Sequence, residues 1–131
     1  MKIGICNDHA GVDYKNQLME YLKGKGYEMV NFGTDTTDSM DYPDVAHPLA
    51  EAVEKGEVDL GIAFCGTGNG MAMALNKHQG IRAGLCWNAE IGKLIKQQVE
   101  EQGKTVVWFA QQLSYSRTNV YKIYEKSSID T

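Results

Sequence analysis

Five short apolar runs, each followed by a stretch with helical spacing, restrict this chain to very few architectures. The runs are Lys2–Cys6, Tyr27–Phe32, Val58–Phe64, Ile81–Cys86 and Thr105–Phe109. Val58–Phe64 is nearly continuous in apolar character, as expected of a strand covered on both faces. Between the first two runs, Val12, Leu18, Met19 and Leu22 fall on one helical face, and Gly24 and Gly26 stop the helix. Pro43 is placed to open a second helix, with Val45, Leu49, Ala52 and Val53 inward and Gly56 at its end. A third helix is expected from about Asn69 to His78. A fourth is expected from an Asn88 cap to about Gln102, and a last one from Ser114 with Val120, Ile123 and Tyr124 inward. Strand and helix in strict alternation predict a parallel sheet with helices on both faces.

The length of 131 residues suits one domain with a core that needs no metal or disulfide. A net charge of −4 without a basic run argues against nucleic acid as the main partner. No apolar run approaches membrane-spanning length and no signal-like segment precedes the first strand, so the expected compartment is the cytoplasm. Cys6, Cys65 and Cys86 are odd in number, widely spaced and set in or at the ends of strand-like runs. That pattern suits reduced thiols, and it has no zinc-ligand spacing.

In a parallel α/β sheet, ligands bind beyond the carboxyl ends of the strands, where the strand order reverses. Those ends carry Asn7-Asp8-His9, then Cys65-Gly66-Thr67-Gly68-Asn69-Gly70, then Trp87-Asn88, and the polar loop with Asp41-Tyr42-Pro43-Asp44 can overhang the same edge. The glycine-rich turn between a buried strand and a helix aims a row of backbone N–H groups toward one point, with Cys65 at its lip. An oxyanion nest beside a side chain that can move a proton is the minimum for chemistry on a carbonyl compound. It is not a Walker loop, since no Gly-Lys-Ser/Thr follows, and it follows the third strand without the acidic partner of a dinucleotide fingerprint. No Ser-His-Asp set and no metal-ligand cluster is evident.

Plainer readings exist for each residue. The glycines can serve tight turning alone, and a cysteine ending a strand is more often an inert core thiol. Asp8 can be only an N-cap, His9 a solvated loop residue and Tyr42 the anchor of a lid. His47 and His78 read as exposed helix residues, and Met71 and Met73 as core.

Taken together and in order, these motifs resemble one family, the type B ribose-5-phosphate isomerases and galactose-6-phosphate isomerase subunits. The matching stretches are Met1–Gly4 through Asp8-His9-Ala10-Gly11, Asn31-Phe32-Gly33-Thr34, Asp41-Tyr42-Pro43-Asp44, Cys65–Gly70 and Asn76-Lys77-His78-Gln79-Gly80-Ile81-Arg82-Ala83. The resemblance implies a three-layer α/β/α sandwich, Rossmann-like, around a five-stranded parallel sheet. It implies a homodimer or dimer of dimers with sites at the subunit interface, and cofactor-free, metal-free aldose–ketose interconversion of a sugar phosphate through a cis-enediol. Carried over residue by residue, Cys65 matches the base that moves the proton between C1 and C2, and Thr67 a residue assisting ring opening. The amides of Gly66, Thr67, Gly68, Asn69 and Gly70 match the hole for the enediolate oxygen. Asp8 and His9 match substrate contacts, His9 toward the phosphate, and Tyr42, Asn76 and Lys77 match further substrate-binding positions.

The match runs in register to about Gln97 and then departs. Gln98 stands where the family places a ring-opening histidine, and Gln111-Gln112 where it places a phosphate-binding arginine. The family's arginine-bearing tail has no counterpart up to Thr131. Glutamine donates a hydrogen bond but does not shuttle a proton near neutral pH. Two alternatives therefore accompany the leading one: an isomerase of an unphosphorylated sugar or sugar acid, and a weakly catalytic sugar-binding or partner subunit.

Overall fold

The computed structural model describes residues 1–86, 88, 90, 91, 93 and 94, and the backbone of a strand at 105–111. The expectations for Trp87, Gln98, Gln112, the body of the fourth helix and the closing helix lie outside the described residues. Strands β1 (Lys2–Asn7), β2 (Glu28–Asn31), β3 (Leu60–Cys65), β4 (Ile81–Cys86) and β5 (Thr105–Gln111) alternate with helices α1 (Val12–Gly24), α2 (Pro43–Glu54) and α3 (Asn69–Leu75). A short 3₁₀ turn, His9–Gly11, leads into α1. Asn88 begins the next helical stretch as expected, its Oδ1 accepting the Ile91 N–H at 2.9 Å. None of the helices described is long and apolar enough to cross a membrane.

All pairings described are parallel, and the order across the sheet is β2-β1-β3-β5-β4. The chain moves outward from β1 to β2, then crosses back to lay β3 on the other side of β1. The order therefore reverses between β1 and β3, and the carboxyl ends of those two strands flank the crevice where such sheets take ligands.

Side chains alternate across the pleat and divide the core in two. Ile3 and Ile5 of β1 join Leu60, Ile62 and Phe64 of β3 under Leu18 and Leu22 of α1. Cys6, Ala63 and Cys65 face the other way, under Val45, Leu49 and Ala52 of α2 and Met71 and Leu75 of α3. Leu49 seats α2 where the paired residues Gly4 and Gly61 lie side by side. A Cβ on Gly4 would stand 2.7 Å from Leu49 Cδ1, and one on Gly61 3.3 Å from it. Two small residues thus let one leucine bring the helix close to both central strands.

Local boundaries follow the residue types. Helix α1 covers the expected Val12–Gly24, and Gly26 turns out of it at φ +92°. Helix α3 stops at Leu75, earlier than expected. Asn76 caps it, donating from Nδ2 to Ala72 O at 2.9 Å. His78 consequently lies beyond the helix, partly covered and not exposed on it. Met73 stands 63% exposed, whereas Met71 is fully buried with Ala74 and Leu75. In so short a helix the inward face takes residues three and four apart, and Met73 falls off it.

Leu49→Ala is expected to lower unfolding free energy by about 2–5 kcal/mol through the cavity left over Gly4 and Gly61. Urea denaturation checks this. A cost below about 1 kcal/mol would show that α2 is not seated by this side chain.

Candidate active site

Cys65 is the last residue of β3 and is 4% exposed, and its Sγ accepts the Gly68 N–H at 3.0 Å. Gly68 adopts φ +81°, a left-handed conformation that glycine takes without strain, and this turns the chain from the strand into α3. Thr67 is exposed, with its Oγ1 accepting the Asn69 N–H at 3.3 Å. Two amides of the turn are thus held inside it, one of them by the thiol. The hydrogen bond fixes the sulfur beside the first turn of α3, where backbone donors gather.

The end of β1 stands directly alongside. Asp8 N–H donates to Phe64 O at 3.1 Å, extending the β1–β3 ladder by one residue to the foot of the glycine turn. Asp8 is 7% exposed and its Oδ1 accepts the Ala10 N–H at 2.9 Å, so the capping reading holds while the residue still lies at the crevice. His9 Nδ1 accepts the Met40 N–H at 3.2 Å. With Nδ1 an acceptor, the neutral ring carries its proton on Nε2 and can donate without being charged.

The loop after β2 reaches over this edge. Tyr42, at the start of α2, lays its ring on Gly70: a Cβ there would stand 2.7 Å from Tyr42 Cε1 and Cζ. The structure therefore gathers Asp8, His9, Tyr42 and the Cys65–Gly70 turn at one sheet edge. It does not bring Asn76 and Lys77 to that edge. They follow the opposite end of α3, roughly 10 Å of helix away. The Asn76 side chain is committed to backbone there, donating to Ala72 O and to Ala83 O at 2.8 Å and accepting the Ala83 N–H at 2.9 Å. It joins the end of α3 to β4.

Two buried polar groups stand behind the site, Asn7 at the end of β1 and Lys15, which the residue pattern did not single out. Asn7 and Lys15 are both fully buried. Lys15 occupies an inward position on α1 between Val12 and Leu18, so its spacing marked it, but a lysine is ordinarily read as solvated. Elsewhere, His78 joins a surface chain: its Nε2 lies 2.8 Å from His47 Nδ1, and its Nδ1 lies 3.0 Å from Glu54 Oε2. The Gly80 N–H and then His78 hold the Glu54 carboxyl below its ordinary range. These groups bind α2 to the turn before β4, away from the crevice.

The three cysteines are free thiols, as expected, and all are buried. Desolvation pushes the Cys6 thiol far up, reinforced by the neighbouring Cys65 and Asp8, and pushes Cys86 up to about 12. Among the described residues no group of three or more His, Cys, Asp or Glu could hold a metal ion.

Fold and crevice define a doubly wound α/β protein with a thiol and a helix-terminal amide turn at its switch point. A family profile described as Ribose/Galactose Isomerase matches residues 3–119. Ribose-5-phosphate isomerase B of Escherichia coli is 41% identical over 96 residues, covering 73% of this chain and 64% of that protein. D-erythrulose-4-phosphate isomerase of Pectobacterium atrosepticum is 42% identical over 87 residues, covering 66% and 57%. The matched stretch thus spans less than two thirds of these relatives' lengths. The solved structure of Clostridium thermocellum ribose-5-phosphate isomerase B superposes with a TM-score of 0.86 at 37% identity, over 97% of this chain and 83% of that one. The chain belongs to the ribose/galactose isomerase family.

Cys6 and Cys86 are expected to resist iodoacetamide in the native protein and to react once it is unfolded. Mass spectrometry of the alkylated peptides reads this directly. Labelling of either residue at the rate of a free thiol would contradict their burial.

Proposed function

We propose that this protein is an aldose–ketose isomerase of sugar phosphates, with ribose 5-phosphate as substrate and Cys65 as the base. The observation that carries the reading is the position of Cys65: at the β1/β3 switch point, its sulfur on the Gly68 amide and the carbonyl of the preceding Phe64 holding the Asp8 N–H, next to His9. Both relatives named above are called isomerases of sugar phosphates, one of a five-carbon and one of a four-carbon compound.

The reaction needs one base and one oxyanion site. With the open-chain aldose bound, the Cys65 thiolate takes the proton from C2, and the electron pair moves through the C1–C2 bond onto O1. The resulting cis-enediolate carries its charge on O1, where amides of the Gly66–Gly70 turn donate to it. The thiol then returns the proton to C1 while the O2 proton passes to O1, leaving the ketose. Thr67, exposed at the rim, assists ring opening, and the His9 Nε2–H donates to the phosphate. The protein works as a dimer, a reading supported by the apolar side chains of Met73 and Leu94, exposed by 63% and 54%.

Cys65→Ala is expected to lower kcat by on the order of 10³-fold, as loss of the acid–base group does, with ribose 5-phosphate binding kept within about threefold. A coupled assay for ribulose 5-phosphate and calorimetric binding read the two quantities. Turnover near the wild-type rate in this variant would remove Cys65 from the mechanism. Faster turnover of free ribose than of its 5-phosphate would overturn the substrate assignment.

A further inference from the structure

Lys15 is a lysine with no exposed side-chain surface, on a helix that contributes no residue to the crevice. Burying an ammonium costs several kcal/mol unless it is paired and hydrogen-bonded, so its position depends on the partners it finds. Its Nζ donates to Thr34 O at 2.8 Å and forms an ion pair with Asp35 Oδ1. The ammonium holds the Asp35 carboxyl below its ordinary range, with help from the Asn31 amide at 3.1 Å. Thr34 O accepts a second bond, from Asn7 Nδ2 at 2.9 Å, and the same Nδ2 donates to Asp8 O at 2.9 Å. Two buried donors therefore converge on one carbonyl of the loop after β2, and one of them also grips the backbone of Asp8.

The loop from Thr34 to Asp41 has no helix or strand of its own. At one end it is tied by Lys15 and Asn7. At the other, the Met40 N–H meets His9 Nδ1 and Tyr42 lies on Gly70. We propose that Lys15 is a positioning residue for the sugar site: through Thr34 and Asp35 it holds this loop where Met40 fixes the His9 ring and Tyr42 covers the glycine turn. Lys15 touches no reacting atom, and its effect reaches substrate through His9 and Tyr42. The kinetic part of this inference rests on the proposed function, whereas the hold on the loop does not.

The test uses Lys15→Met, which keeps volume and removes the donors, and Asp35→Ala. The Asp35 side chain is 70% exposed, and its removal leaves Lys15 the bond to Thr34 O, so Asp35→Ala gives a second reading should Lys15→Met fail to fold, with the fold of each variant checked by circular dichroism. Amide hydrogen exchange is followed at Met40 and, as a core reference, at Ile62 of β3. The His9 ring nitrogens are followed by NMR. In Lys15→Met, Met40 is expected to lose protection by about tenfold or more relative to Ile62, and His9 to lose its uniform Nε2–H form, with a smaller effect in Asp35→Ala. KM for ribose 5-phosphate is expected to rise about tenfold with kcat within about threefold, since the proton-transfer thiol on β3 is untouched. Unchanged Met40 protection and His9 nitrogens in both variants would overturn the proposal, as would equal loss at Met40 and Ile62. If the wild-type protein turns over no sugar phosphate while Met40 and His9 respond as expected, the proposed function fails and the role of Lys15 in holding the loop stands.

Discussion

The pairing of β1 with β3 is the constraint on which the rest of the molecule depends. The two strands run parallel from Ile3 opposite Leu60 to Asn7 opposite Phe64, and Asp8 adds one more bond to Phe64 O. Because the order reverses between them, their following loops leave toward opposite faces and open a crevice. Because the side-chain period is two, the register that places Ile62 and Phe64 under α1 also sends Cys65 toward α2 and α3. A slip by one residue would exchange the two buried faces of β3 and turn the Cys65 side chain toward α1. Fold stability and site geometry are set by the same ladder.

Two kinds of residue meet at that edge. The rigid ones, Cys65 and its glycine turn, sit on a strand buried along its whole length and on the helix it feeds. The adaptable ones, Tyr42 and the backbone of Met40, ride on an irregular loop whose position is imposed by side chains beneath it. Under the proposed function, this arrangement pre-organises the proposed base on the sheet and places the covering groups on a tethered loop.

Much of this was legible in the residue pattern. The period of Val12, Leu18 and Leu22 placed α1, and the unbroken Leu60–Phe64 run followed by Gly66-Thr67-Gly68 placed the strand-to-helix turn. What the pattern concealed has physical causes. Strand order depends on long-range pairing, and no local signal tells that β5 inserts between β3 and β4. Lys15 sits at a core position of α1, yet a charged residue is read as solvent-facing until its partners are known, and those partners are a carbonyl and a carboxylate nineteen and twenty residues away. Asn76 carries a motif match but spends its amide on the backbone of Ala72 and Ala83. His78 escapes the helix because Asn76 caps it first, and then pairs with His47 and Glu54 from α2. In each case the deciding interaction is tertiary.

The most direct measurement of the account is solvent exchange at C2: ribose 5-phosphate with the purified protein in deuterated water, followed by proton NMR. The enediol mechanism with a thiol base predicts deuterium incorporation into the substrate pool, in step with formation of ribulose 5-phosphate. Conversion without any solvent deuterium would call for direct hydride transfer or a fully shielded proton. Neither conversion nor exchange, with ribose 5-phosphate saturating, would contradict the assignment of this site to aldose–ketose isomerisation of that sugar.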